Sequence, residues 1–284
     1  MGASAIIALS FPASLTVVNL KSQNVEVSST SAMLAALQSF IVTTCSWTLI
    51  DTGVSGISEN FVVRSSGASG DRIIVAKFGV STATEAYVSV FACVSFASAT
   101  DVASNPCEPT RLRTTSGGPL RLYMQGTRDF VFVGTNLTPA SNQDSTWCYV
   151  GLVDEFYSSV SATPNRVVVF GSCSQASLLI GVGAMVEGGN GIFNVRVAVD
   201  ATLGPDFTSL LGRSDPDQNT GRVFLWAPLV FDVDADRVYG WMRGVVGVGK
   251  NIPDGSEIFL SGQVFRVWGI GGDVGAHMAI PVSA

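Results

Sequence analysis

The sequence predicts a mainly β protein, built from antiparallel β-sandwich-like or barrel-like halves with one short N-terminal helix. Runs rich in Val, Ile, Phe and Tyr recur along most of the chain, and clusters of Gly, Ser, Asn and Pro separate them. Only one segment has apolar residues at helical spacing. A length of 284 residues allows one large β domain or two smaller ones, and either can bury a core without disulfides or metals.

The helix is predicted over about residues 31–42. Ser29 or Thr30 is placed to cap it, because a hydroxyl at this position can accept a hydrogen bond from the first turn. The apolar residues of its buried face are Met33, Leu34, Leu37, Phe40 and Ile41. Residues 1–28 before the helix are predicted to be extended. A strand over 47–50 follows, and the turn signal Asp51-Thr-Gly is expected to end it.

The remaining strands are predicted from runs of β-branched and aromatic residues. They cover residues 61–64, 72–78, 86–96, 120–124, 130–133, 147–152, 166–170, 177–180, 192–199, 222–231, 238–242, 257–260 and 264–268. Short strands at close spacing with few helices are typical of sandwiches and barrels. The strand pattern therefore carries the predicted fold class.

Two segments share one hairpin pattern, in which an apolar strand and a Gly turn precede an aromatic strand that ends in Gly. The first is Leu122–Gly126 with Phe130–Gly134, and the second is Ile258–Gly262 with Phe265–Gly269. Two interpretations stay open. The chain consists of related halves, a β-rich domain over 1–160 that includes the helix and a β-rich domain over 161–284, or the two hairpins are alike by chance.

His277 is the single histidine of the chain, and only 13% of the residues are charged. Acid/base catalysis near neutral pH draws on histidine and on clusters of charged side chains. We therefore expect that the chain is not an enzyme, with no catalytic, cofactor-binding or metal-binding residues. His277 is expected to lie in a C-terminal tail, either in solvent or at a contact between subunits.

The mean hydropathy of +0.39 is high for a protein that is not embedded in a membrane. A spanning helix needs roughly 18–20 apolar residues, and no stretch of this sequence comes close to that length. The run Ala5–Leu9 is too short, and it lacks the basic residues of a signal peptide. The apolar composition therefore predicts a subunit that buries much of its surface in an assembly, without a membrane as partner.

The net charge of −6 and the pI of about 4.7 argue against nucleic acid as a partner, since nucleic-acid binding needs a basic surface. Four arginines could form a local basic patch, and they are more simply solvated strand residues: Arg111, Arg113, Arg121 and Arg128. Gly244–Asn251 resembles a phosphate-binding loop, but Asn251 replaces the Ser or Thr that would hold magnesium. A Gly-rich turn between strands is the simpler interpretation.

Several carboxylates could carry chemistry. Asp215, Asp217 and Asn219 resemble the start of a calcium loop, but Trp226 stands where such a loop has Glu. An ordinary turn is the simpler interpretation, and calcium binding stays open. Asp154 and Glu155 are adjacent on a predicted strand, so their side chains should point to opposite faces and not form a glycosidase pair. The alternating acids Asp232, Asp234 and Asp236 are predicted to lie in a solvated loop or at an edge.

The cysteines have no C-x-x-C spacing, so zinc is not expected; they are Cys45, Cys93, Cys107, Cys148 and Cys173. Their odd number and loose spacing indicate folding in a reducing compartment. Cys93 lies in an apolar run and should be buried. Cys107 lies between Pro106 and Pro109, so it is the expected exposed thiol, and an intermolecular disulfide through it is a hypothesis.

Three stretches of the chain resemble a type of tailed-bacteriophage virion protein. The first is the helix Ser31–Phe40 with Ser46-Trp47-Thr-Leu and the Ser/Gly-rich residues 63–76. The second is Trp147–Tyr157 followed by Pro164–Val169. The third is Tyr239–Val246 followed by Asp254–Trp268. The likeness is to a pattern across most of the chain, without a diagnostic motif.

The resemblance implies a β-rich, non-enzymatic subunit of a tail, neck or baseplate that is assembled in the cytoplasm of the host bacterium. The expected partners are copies of the chain and other virion proteins. Two alternatives remain open: a carbohydrate-binding receptor-recognition module of the phage tail, and a head decoration protein. A hydrolase would need carboxylates that converge on a cleft. The resemblance transfers no functional residue, because the pattern has no catalytic set.

Overall fold

The computed structural model of the chain describes residues 17, 19–55, 58–68, 74–80, 87–92, 110–113, 119–137, 146–155, 166–171, 181–187, 191–198, 225–226, 229–232, 237–248, 252, 255–260, 262–269 and 277–283. Across these residues the fold is mostly antiparallel β-sheet with a single short α-helix near the N-terminus, in a β-sandwich-like arrangement. The predicted fold class is confirmed.

The strands are β1 (Lys21–Val27), β2 (Thr48–Ser55), β3 (Ser58–Ser65), β4 (Ile74–Val80), β5 (Tyr87–Ala92), β6 (Thr110–Arg113), β7 (Leu120–Gly126), β8 (Phe130–Leu137), β9 (Thr146–Glu155), β10 (Arg166–Gly171), β11 (Gly181–Glu187), β12 (Gly191–Ala198), β13 (Leu225–Trp226), β14 (Leu229–Asp232), β15 (Arg237–Met242), β16 (Val246–Val248), β17 (Glu257–Leu260), β18 (Gln263–Gly269) and β19 (His277–Ser283). Most of them overlap a run of β-branched and aromatic residues, as predicted.

Within the described residues the strands form three antiparallel sheets. The large sheet has nine strands in the order β1-β7-β8-β9-β10-β11-β12-β14-β15, and β15 also pairs with the end of β9. Because β15 pairs with β9, the strands β9, β10, β11, β12, β14 and β15 form a closed ring. The second sheet has the order β2-β3-β4-β5-β6, and the third has the order β13-β16-β19-β18-β17. The large sheet contains strands from both sides of residue 160, and the division into two domains stays a prediction.

Helix α1 (Thr30–Ser39) begins as the sequence predicts. Ser29 is extended, and its hydroxyl accepts a hydrogen bond from the Ala32 N–H at 3.1 Å, so Ser29 is the cap. The chain continues through a wider π-type turn over Phe40–Thr44, where the Cys45 N–H donates to the Phe40 carbonyl. The predicted helix over about 31–42 is therefore confirmed, with a different winding in its last turn.

Strands β7, β8 and β9 form the middle of three layers, because their two faces meet different sheets. Alternate residues on one face, such as Leu122 and Val133, are buried in a core with β3, β4, β5 and α1. The intervening aromatic residues point the other way, and Phe132 and Tyr123 contact Trp268 of β18 there. The third sheet buries its own apolar cluster around Val248 and Phe265.

The structure corrects several predicted boundaries. Strand β2 does not end at Asp51-Thr-Gly, because a register shift between Leu49 and Asp51 places Ile50 as an extra residue and the pairing continues to Ser55. The predicted strand over 222–231 is two strands in different sheets, β13 and β14. Pro228 lies between them, and proline lacks the N–H that continuous pairing needs.

Other strands had no counterpart in the prediction: β6, β11, β16 and β19. The predicted strand over 177–180 lies outside the described residues. The Gly-rich stretch 244–251, predicted to be a turn, contains β16 at Val246–Val248. His277 does not lie in a tail, because it opens β19, where its backbone is in register with Val248 and Gly269. Among the described residues, no helix has the length and apolar character needed to cross a membrane.

Candidate functional site

The turn over residues 127–129, between β7 and β8, is where several elements are tied together. The Ser65 hydroxyl donates to the Arg128 carbonyl at 2.6 Å, and the indole N–H of Trp47 donates to the Thr127 carbonyl at 2.8 Å. Ser65 is the last residue of β3, and Trp47 directly precedes β2, so both donors belong to the second sheet or adjoin it. These hydrogen bonds therefore fix the β7–β8 turn against that sheet.

Arg243, in the turn between β15 and β16, ties the same region to the third sheet. Its guanidinium donates to the Asp129 carboxylate at 2.8 Å and to the Asp154 carboxylate through two nitrogens, with Nε at 2.6 Å. Asp129 also accepts from the Ala68 N–H at 2.7 Å. One guanidinium thus joins the turn after β7 to the end of β9.

The charges of this cluster are mutually stabilising. Burial acts to lower the pKa of Arg243, but the hydrogen bonds and charges of Asp154 and Asp129 outweigh burial and raise the pKa above its ordinary value. The Arg243 side chain is 37% exposed, so solvent weakens the pairing relative to a fully buried pair. The guanidinium is therefore a fixed positive charge at any accessible pH.

Tyr149 holds the backbone of Arg243 in place. Its hydroxyl donates to the Arg243 carbonyl at 3.0 Å, and its ring stacks on Phe130 with the centroids 5.7 Å apart. Burial and the nearby charge of Asp154 raise the pKa of Tyr149, so the hydroxyl stays protonated and acts as a donor. Gly151 leaves the space that this ring needs, since a Cβ there would collide with the ring and with Phe130.

The cluster is arranged as an anchor. Asp129 and Asp154 converge, but Arg243 lies between them and donates hydrogen bonds to both carboxylates. A glycosidase pair instead flanks a substrate, with one carboxyl group free to deliver a proton. The arrangement fixes the β15–β16 turn to the β7–β8 turn, where Gly244 has a φ of +71° and lies against Phe130.

The exposed apolar side chains mark a second feature of the surface. Among the described residues the exposed large hydrophobic side chains are Phe259, at 75%, and Ile50, at 41%. Phe259 lies on β17, and Ile50 lies on β2; each of these strands is at the end of its sheet. An open sheet edge with an apolar side chain is a surface suited to contact with another chain.

The hairpin of β17 and β18 lies on the hairpin of β7 and β8. The Trp268 ring is 5.2 Å from Tyr123 in an edge-on geometry and 5.5 Å from Phe132. It also lies over Gly134, where a Cβ would come within 2.6 Å of ring carbon Cζ3. The Arg266 guanidinium lies over the Tyr123 ring at 5.2 Å. Among the described strands, β18 is the one that pairs with β17.

Gln263, at the start of β18, holds the N-terminal end of the described chain. Its side-chain amide donates to the Val17 carbonyl and accepts from the Val17 N–H, each at 3.2 Å. Gln263 is 3% exposed, so the pair of bonds satisfies an amide that would otherwise be buried without partners. Val17 therefore lies beside the β17–β18 hairpin.

The structure separates most of the residues that the sequence singled out. Asp154 pairs with Arg243, and Glu155 follows it on β9. Asp232 ends β14. The candidate calcium residues Asp215, Asp217 and Asn219 lie outside the described residues, as do Asp234 and Asp236. No group of three potential metal ligands occurs among the residues that the structure describes.

Some of the arginines and cysteines singled out in the sequence also lie among the described residues, and others do not. Arg121 is about half exposed and lies 4.0 Å from Glu26 of β1, so the two are a weak surface pair. Cys45 and Cys148 are buried free thiols. Burial raises the pKa of the Cys45 thiol to about 12 and raises the pKa of Cys148 as well. The remaining cysteines, Cys93, Cys107 and Cys173, lie outside the described residues, so the disulfide through Cys107 stays a hypothesis.

Sequence reasoning missed the residues that form the contacts between layers. Each of these residues forms hydrogen bonds with a partner far away in the sequence, and no local motif predicts such a partner; they are Asp129, Arg243 and Gln263. One signal was present for Trp268: it lies in the second of the two similar hairpins, which pack together. Comparisons with known protein families and with curated proteins gave no match to the chain.

Proposed function

We propose that the chain is a structural subunit of a bacteriophage virion, a component of its tail, neck or baseplate. It acts by packing against copies of itself and against other virion proteins, after assembly in the cytoplasm of the host bacterium. Its mechanism is contact, without chemical turnover. The sequence resembles proteins of this class over residues 31–40, 46–49, 63–76, 147–157, 164–169, 239–246 and 254–268.

The observation that carries the proposal is the position of the exposed apolar side chains. Within the described residues, Phe259 and Ile50 are the exposed large hydrophobic side chains, and both lie on end strands of sheets. Proteins that work alone protect such edges with charges, proline or a covering loop. An uncovered phenylalanine on an edge strand supports a role in which a neighbouring chain supplies the cover.

The rigid attachment of the layers supports the same role. Arg243 joins two turns, and Trp268 locks the hairpin of β17 and β18 onto the large sheet. A subunit that transmits position through an assembly needs surfaces whose relative placement is fixed. The cluster of Asp129, Asp154 and Arg243 supplies such fixation, since a guanidinium bonded to two carboxylates has little freedom to move.

The test is the composition of purified particles. Particles from cells that carry the encoding phage genome are purified on a density gradient and digested, and the copies of this chain are counted by mass spectrometry against labelled peptides. We expect a fixed copy number that reflects the symmetry of one part of the particle. Absence of the chain from purified particles, while it is abundant in infected cells, would contradict the proposal.

Glycan binding distinguishes the alternative of a receptor-recognition module. An exposed aromatic side chain beside a charged pair, here Phe259 near Glu257 and Arg266, is also a surface on which a sugar can stack. The full chain is therefore tested on an array of bacterial surface glycans. A compact monomer that binds a defined glycan through Phe259 would replace the structural subunit with the receptor-recognition module.

A further inference from the structure

We propose that the side chains of Lys77 and Asn60 join in a covalent amide bond that links β4 to β3, with Asp51 as the group that transfers the proton. The bond is a modification that the chain makes to itself once it has folded, without an external substrate. The inference is independent of the proposed function, since it concerns the second sheet of a single chain.

The register of the second sheet places these three side chains on one face. Val62 of β3 pairs directly with Asp51 of β2 on one side and with Lys77 of β4 on the other. Residues directly opposite each other in an antiparallel sheet share a face, and so do residues two apart along a strand. Asn60, two residues before Val62, therefore lies on the same face as Asp51 and Lys77.

Asn60 and Lys77 are diagonal neighbours on that face. The register partner of Asn60 is Gly79, which lies two residues after Lys77. Diagonal neighbours of an antiparallel pair are about 7–8 Å apart, which a long side chain can reach. A Cβ at Gly79 would lie 2.6 Å from the Asn60 Cβ, so a glycine at this position gives the Asn60 side chain room over β4. The Lys77 amine can therefore reach the Asn60 carboxamide.

Lys77 is buried, whereas lysines are mostly exposed. Its exposed fraction is 9%, and its register partner Val62 is fully buried. Surroundings of low polarity favour the neutral amine of a lysine over the ammonium ion, and the neutral amine is the nucleophile. Burial also keeps out water, which would compete with the amine for the carboxamide. Lys77 thus has the environment of a reactive amine.

Asp51 is next to Asn60 on the other neighbouring strand. The register partner of Asn60 on β2 is Gly53, and Asp51 lies two residues before Gly53, so Asp51 and Asn60 are diagonal neighbours too. Asp51 is half-buried. The Asn60 Oδ1 is buried, and no described group donates a hydrogen bond to it. Asn60 therefore lies between an amine on β4 and a carboxylate on β2.

The reaction balances without a co-reactant. The neutral Lys77 Nζ attacks the Asn60 Cγ, and a new bond forms between these two atoms. The Asp51 carboxylate accepts a proton from Nζ and donates it to the carboxamide nitrogen of Asn60. The bond between Cγ and that nitrogen then breaks, and the nitrogen leaves as ammonia. The product contains an amide between Nζ and Cγ, and Asp51 returns to its starting form.

Intact-mass spectrometry of the purified full chain tests the bond. We expect the folded wild type to weigh less than its sequence by the mass of one ammonia molecule. Trypsin should not cut after a linked Lys77, so residues 73–111 should be recovered joined to residues 22–64, and fragmentation should locate the link at Lys77 and Asn60. A folded wild-type chain with the full mass of its sequence overturns the proposal, and so does a mass loss located at other residues.

Two variants remove the reacting groups, and two matched variants leave them in place. Lys77→Arg keeps the positive charge and Asn60→Ala removes the carboxamide, so both should keep their full mass while circular dichroism shows that they are folded. Lys21→Arg and Asn24→Ala change the same residue types on the exposed strand β1, and both should lose ammonia like the wild type. Loss of ammonia from Lys77→Arg overturns the proposal. Should Lys77→Arg not fold, the mass and the linked peptides of the wild type decide the question by themselves.

Asp51→Asn tests the transfer of the proton. The chain is synthesised in a cell-free system and sampled at intervals, and the fraction of chains with the mass loss gives the rate of bond formation. We expect the rate to fall at least about tenfold in Asp51→Asn, because a positioned acid or base contributes this much or more. Glu257→Gln is the matched control, since it changes an exposed carboxylate of the third sheet. An Asp51→Asn chain that forms the bond at the wild-type rate overturns the role of Asp51.

Discussion

The two hairpins with similar sequences have opposite surroundings. The hairpin of β7 and β8 lies inside the large sheet, with β1 on one side and β9 on the other, and its aromatic Tyr123 is covered by Trp268 and Arg266. The hairpin of β17 and β18 lies at the end of the third sheet. In the aligned sequence patterns Phe259 takes the place of Tyr123, and Phe259 is 75% exposed.

The difference shows how one sequence pattern serves two purposes. Tyr123 on the first hairpin is partly buried because the second hairpin packs over it, whereas Phe259, at the same position of the second hairpin, is 75% exposed. The first hairpin therefore stabilises the fold, and the second is available for contact with other molecules. Substitutions in the two hairpins should have effects that differ in kind.

The largest effect is expected from Trp268→Ala. Trp268 is 3% exposed and contacts Tyr123 and Phe132, so its removal leaves a cavity between the two hairpins. We expect the free energy of unfolding to fall by about 3–5 kcal/mol. Urea denaturation followed by tryptophan fluorescence and circular dichroism measures it. A loss of less than about 1 kcal/mol would show that the two hairpins are not packed together as described.

Gly134→Ala tests the same contact from the other side. A Cβ at this position would press into the Trp268 ring, so the ring or the β8 backbone must move. We expect a loss of about 1–3 kcal/mol in the free energy of unfolding. The double variant Gly134→Ala/Trp268→Leu should lose less than the sum of the single variants, because the smaller side chain relieves the collision. Additive losses would place the ring elsewhere.

Arg243→Met tests the anchor of the first hairpin. The variant keeps much of the side-chain volume but leaves Asp129 and Asp154 without their shared partner. We expect a loss of about 1–2 kcal/mol, less than for a buried pair because Arg243 is 37% exposed. Arg266→Met is the matched control, since its partner Glu257 is 55% exposed. If both variants lost the same free energy of unfolding, the pairing of Arg243 with Asp129 and Asp154 would stabilise the fold no more than an exposed ion pair does.

Cys45 reports on the end of the first hairpin, where it lies against Gly126. Burial raises the pKa of its thiol from 9.0 to about 12 in the folded chain, so the stabilising contribution is complete below pH 9.0 and is lost as the pH rises toward 12. Each such group lowers stability by at most about 1.4 kcal/mol per pH unit. Urea denaturation at pH 8 and pH 10 should show a shallower pH dependence for Cys45→Ala than for the wild type. Identical slopes would mean that the thiol is not buried.

The smallest effect on stability is expected from Phe259→Ser. An exposed side chain away from caps and ion pairs changes the free energy of unfolding by no more than about 0.5 kcal/mol. The same variant should impair assembly, which separates the second hairpin from the first. Thermal denaturation of the monomer measures the stability. A loss of about 2 kcal/mol or more would mean that Phe259 is part of the core.

The sequence supports the fold class and many of the strands because their causes are local. Ser29 caps the helix through a bond to Ala32, and β17 is predicted to the residue from its apolar run. The errors arise where distant contacts decide. The β-bulge at Ile50 lets β2 continue past the turn signal that follows it in the sequence. Strand β19 forms because β16 and β18 pair with it on either side. Neither cause is visible in the local sequence.

The candidate site was less predictable than the fold for the same reason. Asp129 and Arg243 are ordinary turn residues in sequence, and the topology alone brings them within 2.8 Å. The repeated hairpin pattern was the useful sequence signal, since it marked both hairpins before their packing was known. It could not indicate which aromatic residue would be covered, because cover depends on the order of strands in the sheets.

Amide hydrogen exchange tests most directly the claim that the first hairpin belongs to the fold and the second serves contact. Exchange is measured by mass spectrometry for peptides from β7 and β17, in the dilute chain and in the proposed virion assembly. We expect β7 to be protected equally in both states, whereas β17 should exchange rapidly in the dilute chain and become protected on assembly. Unchanged exchange of β17 in the particle would contradict this claim.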